Sequence, residues 1–233
     1  MAVVFQRGIM SLQRSKPPVE AVIFDMDGIL VDSEVYWQAS REDFARAVGK
    51  IWKPEDQRQA MGRSTVGWAQ LMQERLAIDM PIDDIIADMI ARVIARYEQR
   101  LPVLPGALEA VKKAASAYKV ALASGSETSI IKQVMARTGL GEIFDVVVYG
   151  DTIPRGKPAP DIYLETARRL SVLPERAVGI EDSANGIRAL KAAGMYAIAV
   201  PSPAFPLPDE ILALANVTLP SLEAFTVDLV RAL

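Results

Sequence analysis

The amino-acid sequence predicts an α/β protein: a mostly parallel sheet with helices on both faces, split by a helical insertion after the first strand. Three observations carry that prediction. From residue 105 onward, short apolar runs alternate with helical patterns, the arrangement of βαβ units. Between residues 34 and 101 there is helical periodicity but no convincing strand. Ahead of that insertion, the apolar run Ala21-Val22-Ile23-Phe24 ends abruptly in Asp25-Met26-Asp27-Gly28. Alternate side chains of a strand share a face, so Asp25 and Asp27 can point into one site.

Each element follows from local signals. Residues 1–18 carry Arg7, Arg14 and Lys16 but no acid, and end in Pro17-Pro18, so a loose N-terminal arm is expected. The apolar piece over residues 2–5 is too short for a signal-peptide core. Ser33-Glu34 open a helix that runs to about Val48 and stops at Gly49. Pro54 starts a short helical piece, Gly62-Arg63-Ser64 break it, and Ser64 is placed to cap a helix reaching about Arg75. Ile82, Ile85, Ile86, Met89, Ile90, Val93, Ile94 and Tyr97 recur at spacings of three and four, which predicts a long amphipathic helix near residues 83–100. Residues 101–106, with Pro102, Pro105 and Gly106, read as a linker. The core is therefore expected over 19–33 and 102–233, and the insertion over 34–101. In the second core segment, helices are predicted over 107–118, 128–137, 160–170 and 183–193, and strands over 120–123, 146–149, 177–180 and 196–200. Four prolines in residues 201–208 mark a surface connection, and one or two further helices close the chain.

Composition narrows the chemistry. The 233 residues, 51% hydrophobic and 24% charged, suffice for a sizeable globular core. A net charge of −3 leaves no basic footprint for nucleic acid, and no apolar run approaches the roughly 20 residues of a membrane helix. A cytoplasmic location is expected. The chain has no cysteine and no histidine. Disulfides, thiolate nucleophiles and Ser-His-Asp triads are thereby excluded. Acid–base work must rest mainly on Asp, Glu, Lys or Tyr. Any metal site must use oxygen ligands, which suits Mg²⁺, Ca²⁺ or Mn²⁺.

In open parallel sheets, ligands bind at the carboxyl ends of strands. The sequence puts Asp25 and Asp27, Ser124-Gly125-Ser126 and Glu181-Asp182 at such ends, and Lys157 in a loop after another strand. Taken singly, each has a structural alternative. Asp27-Gly28 is a favourable turn, Ser124 or Ser126 can cap a helix, Lys157 can be a solvated loop charge, and Glu181-Asp182 can complement a helix dipole. Convergence on one edge favours a site. Neighbouring carboxylates repel, so the site calls for a cation or a shared proton.

Phe24-Asp25-Met26-Asp27-Gly28, Ser124, Lys157 in Gly-Lys-Pro-Ala-Pro-Asp, and Glu181-Asp182-Ser183 resemble, in order, the four motifs of the haloacid dehalogenase (HAD) superfamily. The likeness spans most of residues 19–200. It implies a Rossmann-like core, with the helical insertion as a small cap. Asp-Gly-Ile-Leu-Val-Asp-Ser-Glu and Gly-Lys-Pro-Ala-Pro-Asp are similar to the β-phosphoglucomutase and sugar-phosphatase branch. The resemblance implies that Asp25 is the nucleophile that forms an aspartyl-phosphate, and that Asp27 protonates the leaving alcohol and then deprotonates water. It implies Mg²⁺ on Asp25, the Asp27 carbonyl and Asp182, with Glu181 helping. Ser124 and Lys157, with Gly125 and Ser126, would hold the phosphoryl group. Lys157 is also expected to keep Asp25 ionised. The second aspartate, Asp27, is absent from the metal-independent dehalogenases of the superfamily, which favours phosphate-ester chemistry.

The resembling mutases carry a histidine where this chain has Trp37, so hydrolysis is expected rather than isomerisation. Trp37 and Arg63 are candidate substrate contacts, with cap packing and an exposed loop charge as their alternatives; Trp68 and Met72 read as cap core. The expected activity is a Mg²⁺-dependent phosphatase on small sugar or polyol phosphates. The alternatives are a β-phosphoglucomutase-type mutase, a phosphoglycolate phosphatase or a catalytically silent binding protein. The expected partner is a small phosphorylated metabolite, with no nucleic acid and no membrane, for a monomer or weak dimer.

Overall fold

β1 (Ala21–Phe24) is a run of four apolar residues with no exposed side chain, the pattern a strand needs when both faces of its sheet are covered. The computed structural model describes residues 18–60 and 63–233. All but Pro18 of the expected N-terminal arm, and Gly62 in the expected break, lie outside those residues. β1 sits within six parallel strands, with β2 (Lys119–Ser124), β3 (Val146–Tyr149), β4 (Ala177–Glu181), β5 (Tyr196–Ala199) and β6 (Val217–Thr218), in the order β3-β2-β1-β4-β5-β6. The chain steps outward from β1 through β2 to β3, then returns to the other side of β1 at β4. Such a reversal opens a crevice outside the carboxyl ends of β1, β2 and β4, where ligands bind in sheets of this kind.

The two faces of the sheet differ. Val22, Phe24, Leu122, Ile180 and Ile198 pack with α5 (Ala107–Ala115) and α6 (Thr128–Thr138). On the other face Ala21, Ala121, Ala123, Ala177, Ala197 and Ala199 keep the surface low, against α7 (Asp161–Leu170) and α8 (Ala184–Ala192). The chain ends with α9 (Asp209–Leu212) and α10 (Val227–Arg231).

The insertion comprises α1 (Glu34–Ala47), α2 (Pro54–Ala60), α3 (Thr65–Leu76) and α4 (Ile82–Gln99), with no strand among its described residues. α4 buries Ile85, Met89, Val93 and Tyr97, a four-residue spacing that lines one helix face. α4 packs on α1, α3 and the core helix α6, so the insertion and one sheet face share a continuous apolar cluster. Ser64 caps α3 by accepting the Gly67 N–H at 3.2 Å. The two connections to the core run side by side. Val31 bridges Val103 in antiparallel fashion, Asp32 N donates to Pro102 O at 2.8 Å, and Leu104 N donates to Leu30 O at 2.9 Å.

Two boundary shifts matter for the site. Ser124 and Glu181 were expected just past their strands, yet they are the last strand residues, in register with Tyr149 and Ala199. Neighbouring strands hold their backbones, so the sheet itself aims these side chains. The two-residue β6 was not expected; it is too short to carry a period.

Candidate active site

Past Phe24 the ladder continues for one bond, Asp25 N to Ile180 O at 3.1 Å, and then the chain turns. The N–H groups of Leu30 and Val31 return to Met26 O at 2.8 and 3.1 Å. Gly28 makes this turn possible: its φ is 75°, and a Cβ there would overlap the Asp182 carboxylate. The turn therefore brings the β1 loop against the end of β4.

Lys157 is the hub. Its Nζ donates to Asp25 Oδ1 at 2.8 Å and to Glu181 Oε1 at 2.5 Å, and sits 5.1 Å from the Tyr163 ring centroid. Glu181, fully buried, has both oxygens engaged. Oε1 also accepts the Tyr163 hydroxyl at 2.7 Å, and Oε2 accepts Ser183 Oγ at 2.9 Å and the N–H groups of Asp182 and Ser183, each at 3.1 Å. One oxygen each from Asp25, Glu181 and Asp182 lie within 4.8 Å of one another.

Asp27 lives in different surroundings. Its Oδ2 accepts hydroxyls from Ser126 at 2.7 Å and Ser124 at 3.2 Å, and Ser126 N in turn donates to Ser124 Oγ at 3.1 Å. Among the described residues, its buried Oδ1 has no hydrogen-bond partner. Gly125, between the two serines, is exposed.

The electrostatics are one-sided, with four carboxylates around one ammonium. Burial lifts the Asp25 carboxyl to about 8; Lys157 opposes the rise, while the charges of Glu181 and Asp27 add to it. Lys157, 2.8 Å from Asp25 Oδ1, thus favours the ionised form of Asp25, and burial works against it. Asp182 is pushed well above the usual carboxylate range by burial and by the charges of Glu181 and Asp25. Glu181 goes the other way: burial opposes its ionisation, but Lys157, Tyr163 and Ser183 hold it below its ordinary value. Burial likewise works against the Lys157 charge, and Asp25 and Glu181 overcome it, raising the ammonium well above its usual range. This all-oxygen donor set, with its surplus negative charge and the orphaned Asp27 oxygen, fits a hard divalent cation such as Mg²⁺.

A family model described as haloacid dehalogenase-like hydrolase matches residues 19–194. The chain belongs to that family. Among relatives, a phosphorylated carbohydrates phosphatase from Thermotoga maritima is 36% identical over 77% of this chain and 84% of that protein. Hexitol phosphatase B from Escherichia coli is 35% identical over 88% of this chain and 94% of that protein. Among solved structures, CbbY from Rhodobacter sphaeroides in complex with phosphate superposes with a TM-score of 0.81, at 28% identity, covering 92% of this chain and all of that one.

In this HAD-like hydrolase the insertion is a helical cap. Trp37 packs inside it, 9% exposed, with its ring 5.5 Å from that of Trp68. Arg63 is exposed and donates to Gln59 O at 2.7 Å. Trp68 and Met72 are buried in the cap.

Two sets of contacts carried no sequence signal. Tyr163 looks like any apolar-face residue of α7, and only the fold lays its hydroxyl on Glu181. Glu34, Arg41, Gln57 and Trp52 form a largely buried polar cluster in the cap, closed by the contact of Gln57 with Glu34 on a different helix.

Proposed function

We propose that this protein is a Mg²⁺-dependent phosphatase that hydrolyses small sugar or polyol phosphate monoesters through an aspartyl-phosphate on Asp25. The observation that carries this reading is the contrast between its two aspartates: Asp25 lies among charges against Lys157, whereas Asp27 is held by two hydroxyls. A carboxylate against a fixed ammonium suits a nucleophile, and one held by neutral hydroxyls suits a proton carrier.

An Asp25 oxygen attacks phosphorus in line, and the ester oxygen leaves with a proton from Asp27. Asp27 then takes a proton from water as the water oxygen attacks phosphorus, and the Asp25–phosphorus bond breaks to release phosphate. Ser124 and Lys157 hold the phosphoryl oxygens, with the loop at Gly125 and Ser126 beside them. Asp25, Asp182 and the Asp27 carbonyl would hold Mg²⁺, with Glu181 helping directly or through water. When bound, the ion offsets the carboxylate charge that would otherwise repel a phosphate dianion. Relatives whose names specify phosphorylated carbohydrates or hexitols support the substrate class.

The test is phosphate release from a panel of hexose, hexitol and glycolate phosphates, with Mg²⁺ or with chelator. Release that chelator abolishes is expected, and Asp25→Asn should lower it by about a thousandfold or more. Turnover that survives in Asp25→Asn sinks the proposal. Conversion of hexose 1-phosphate to 6-phosphate with little free phosphate would show a mutase instead.

A further inference from the structure

The cap contains a polar cluster that stability alone does not call for. Glu34 is the first residue of α1, immediately after the paired connections to the core. Its Oε1 receives two donors, Gln57 Nε2 and, at 3.3 Å, Arg41 Nη1. Gln57 is 6% exposed, and its Oε1 is fixed by Trp52 Nε1 at 2.9 Å. Arg41 is 3% exposed, with its guanidinium 5.5 Å from the Trp37 ring centroid. Burying an Arg–Glu pair carries a desolvation penalty, and apolar side chains of similar volume often serve stability as well.

What the cluster does achieve is orientation. Both donors converge on one oxygen of Glu34, and among the described residues the other, Oε2, accepts no hydrogen bond. The Glu34 side chain keeps 26% of its surface exposed, unlike Arg41 and Gln57 behind it. It also stands three residues beyond Val31, which bridges Asp27 at the crevice; burial raises the Glu34 carboxyl, Arg41 opposes this, and the Asp27 charge adds to it. An ionised carboxylate only accepts hydrogen bonds. A substrate group that meets Oε2 must therefore donate, which a sugar or polyol hydroxyl does and an aryl ring does not.

We propose that Gln57 is a specificity-determining positioning residue that, with Arg41, locks Glu34 so that its second oxygen accepts a hydroxyl of a polyhydroxylated phosphate ester. The inference rests on the phosphatase reading and adds to it the group that selects the alcohol. Trp52 acts one step further back, by fixing the Gln57 amide.

The test compares kcat/KM for a hexitol phosphate with that for p-nitrophenyl phosphate, in Mg²⁺, for the wild type, Gln57→Met and Trp52→Phe. Losing one hydrogen bond to a charged group should lower the hexitol-to-nitrophenyl ratio about tenfold in Gln57→Met, mainly through KM on the hexitol ester. Trp52→Phe keeps the ring but loses the donor, so it should shift the ratio in the same direction by less. The ratio is insensitive to the fraction of folded enzyme, so a purely structural role would leave it unchanged. An unchanged ratio in both variants overturns the proposal. Wild-type protein inert towards both esters overturns the phosphatase reading, and this inference with it.

Discussion

Lys157 bridges two buried carboxylates, and the geometry around it says what each neighbour contributes. Tyr163 gives Glu181 a donor that Lys157 cannot replace, because the ammonium is already shared with Asp25. Tyr163→Phe keeps the ring beside Lys157 but leaves Glu181 one hydrogen bond short. Urea denaturation should show a loss of about 1–3 kcal/mol, at unchanged slope. Gly28 makes the opposite test, by adding an atom. A Cβ there would displace the Asp182 carboxylate, so Gly28→Ala should raise the Mg²⁺ concentration for half-maximal activity by about tenfold or more. A Mg²⁺ titration checks this, and an unchanged midpoint removes Asp182 from the proposed metal site. At this scale, Asp25, Asp27, Ser124, Lys157, Glu181 and Asp182 were legible because strand ends and short motifs flag them. Tyr163 was not, since an aromatic on an apolar helix face reads as core until the fold supplies its partner.

The elements follow the periods of the sequence closely wherever a period is long enough to show. α4 appears over Ile82–Gln99 from its three- and four-residue spacing, and α7 over Asp161–Leu170 from its proline start. The exceptions have physical causes. β2 and β4 extend to Ser124 and Glu181 because ladder bonds to neighbouring strands outweigh the polarity of those residues. The polar cluster of Glu34, Arg41, Gln57 and Trp52 depends on how α1 and α2 meet, which local pattern does not encode. Ser64 is where local chemistry and element agree most directly, since its hydroxyl satisfies an N–H of the first turn of α3. Ser64→Ala should cost about 1 kcal/mol, read as a melting-temperature drop of roughly 2–4 °C. No drop would mean that α3 is held by the burial of Trp68, Met72 and Leu76 alone.

For the molecule as a whole, the charge imbalance of the site links folding, protons and metal. The sign follows from proton counting. Asp25 has an ordinary value of 3.8 and about 8 in the fold, so between those limits the folded chain keeps a proton that the unfolded chain releases. Stability falls with rising pH wherever the folded state binds more protons. Asp182, raised by burial and by the same neighbours, acts in the same direction. Glu181, held below its ordinary value, contributes stability that is lost only on acidification, and Lys157, raised above its own, contributes stability lost only at alkaline pH. Neither offsets the trend near neutrality. The metal-free protein should therefore melt at a lower temperature at pH 8 than at pH 6. Mg²⁺ bound at the deprotonated carboxylates competes with those protons and stabilises the fold by mass action, so its effect should grow with pH. Calorimetric scans with chelator and with Mg²⁺ at both values test this, and a Mg²⁺ shift equal at pH 6 and pH 8 contradicts it. In Asp25→Asn one of the two raised carboxyls is gone, so the metal-free pH trend should weaken although the fold persists.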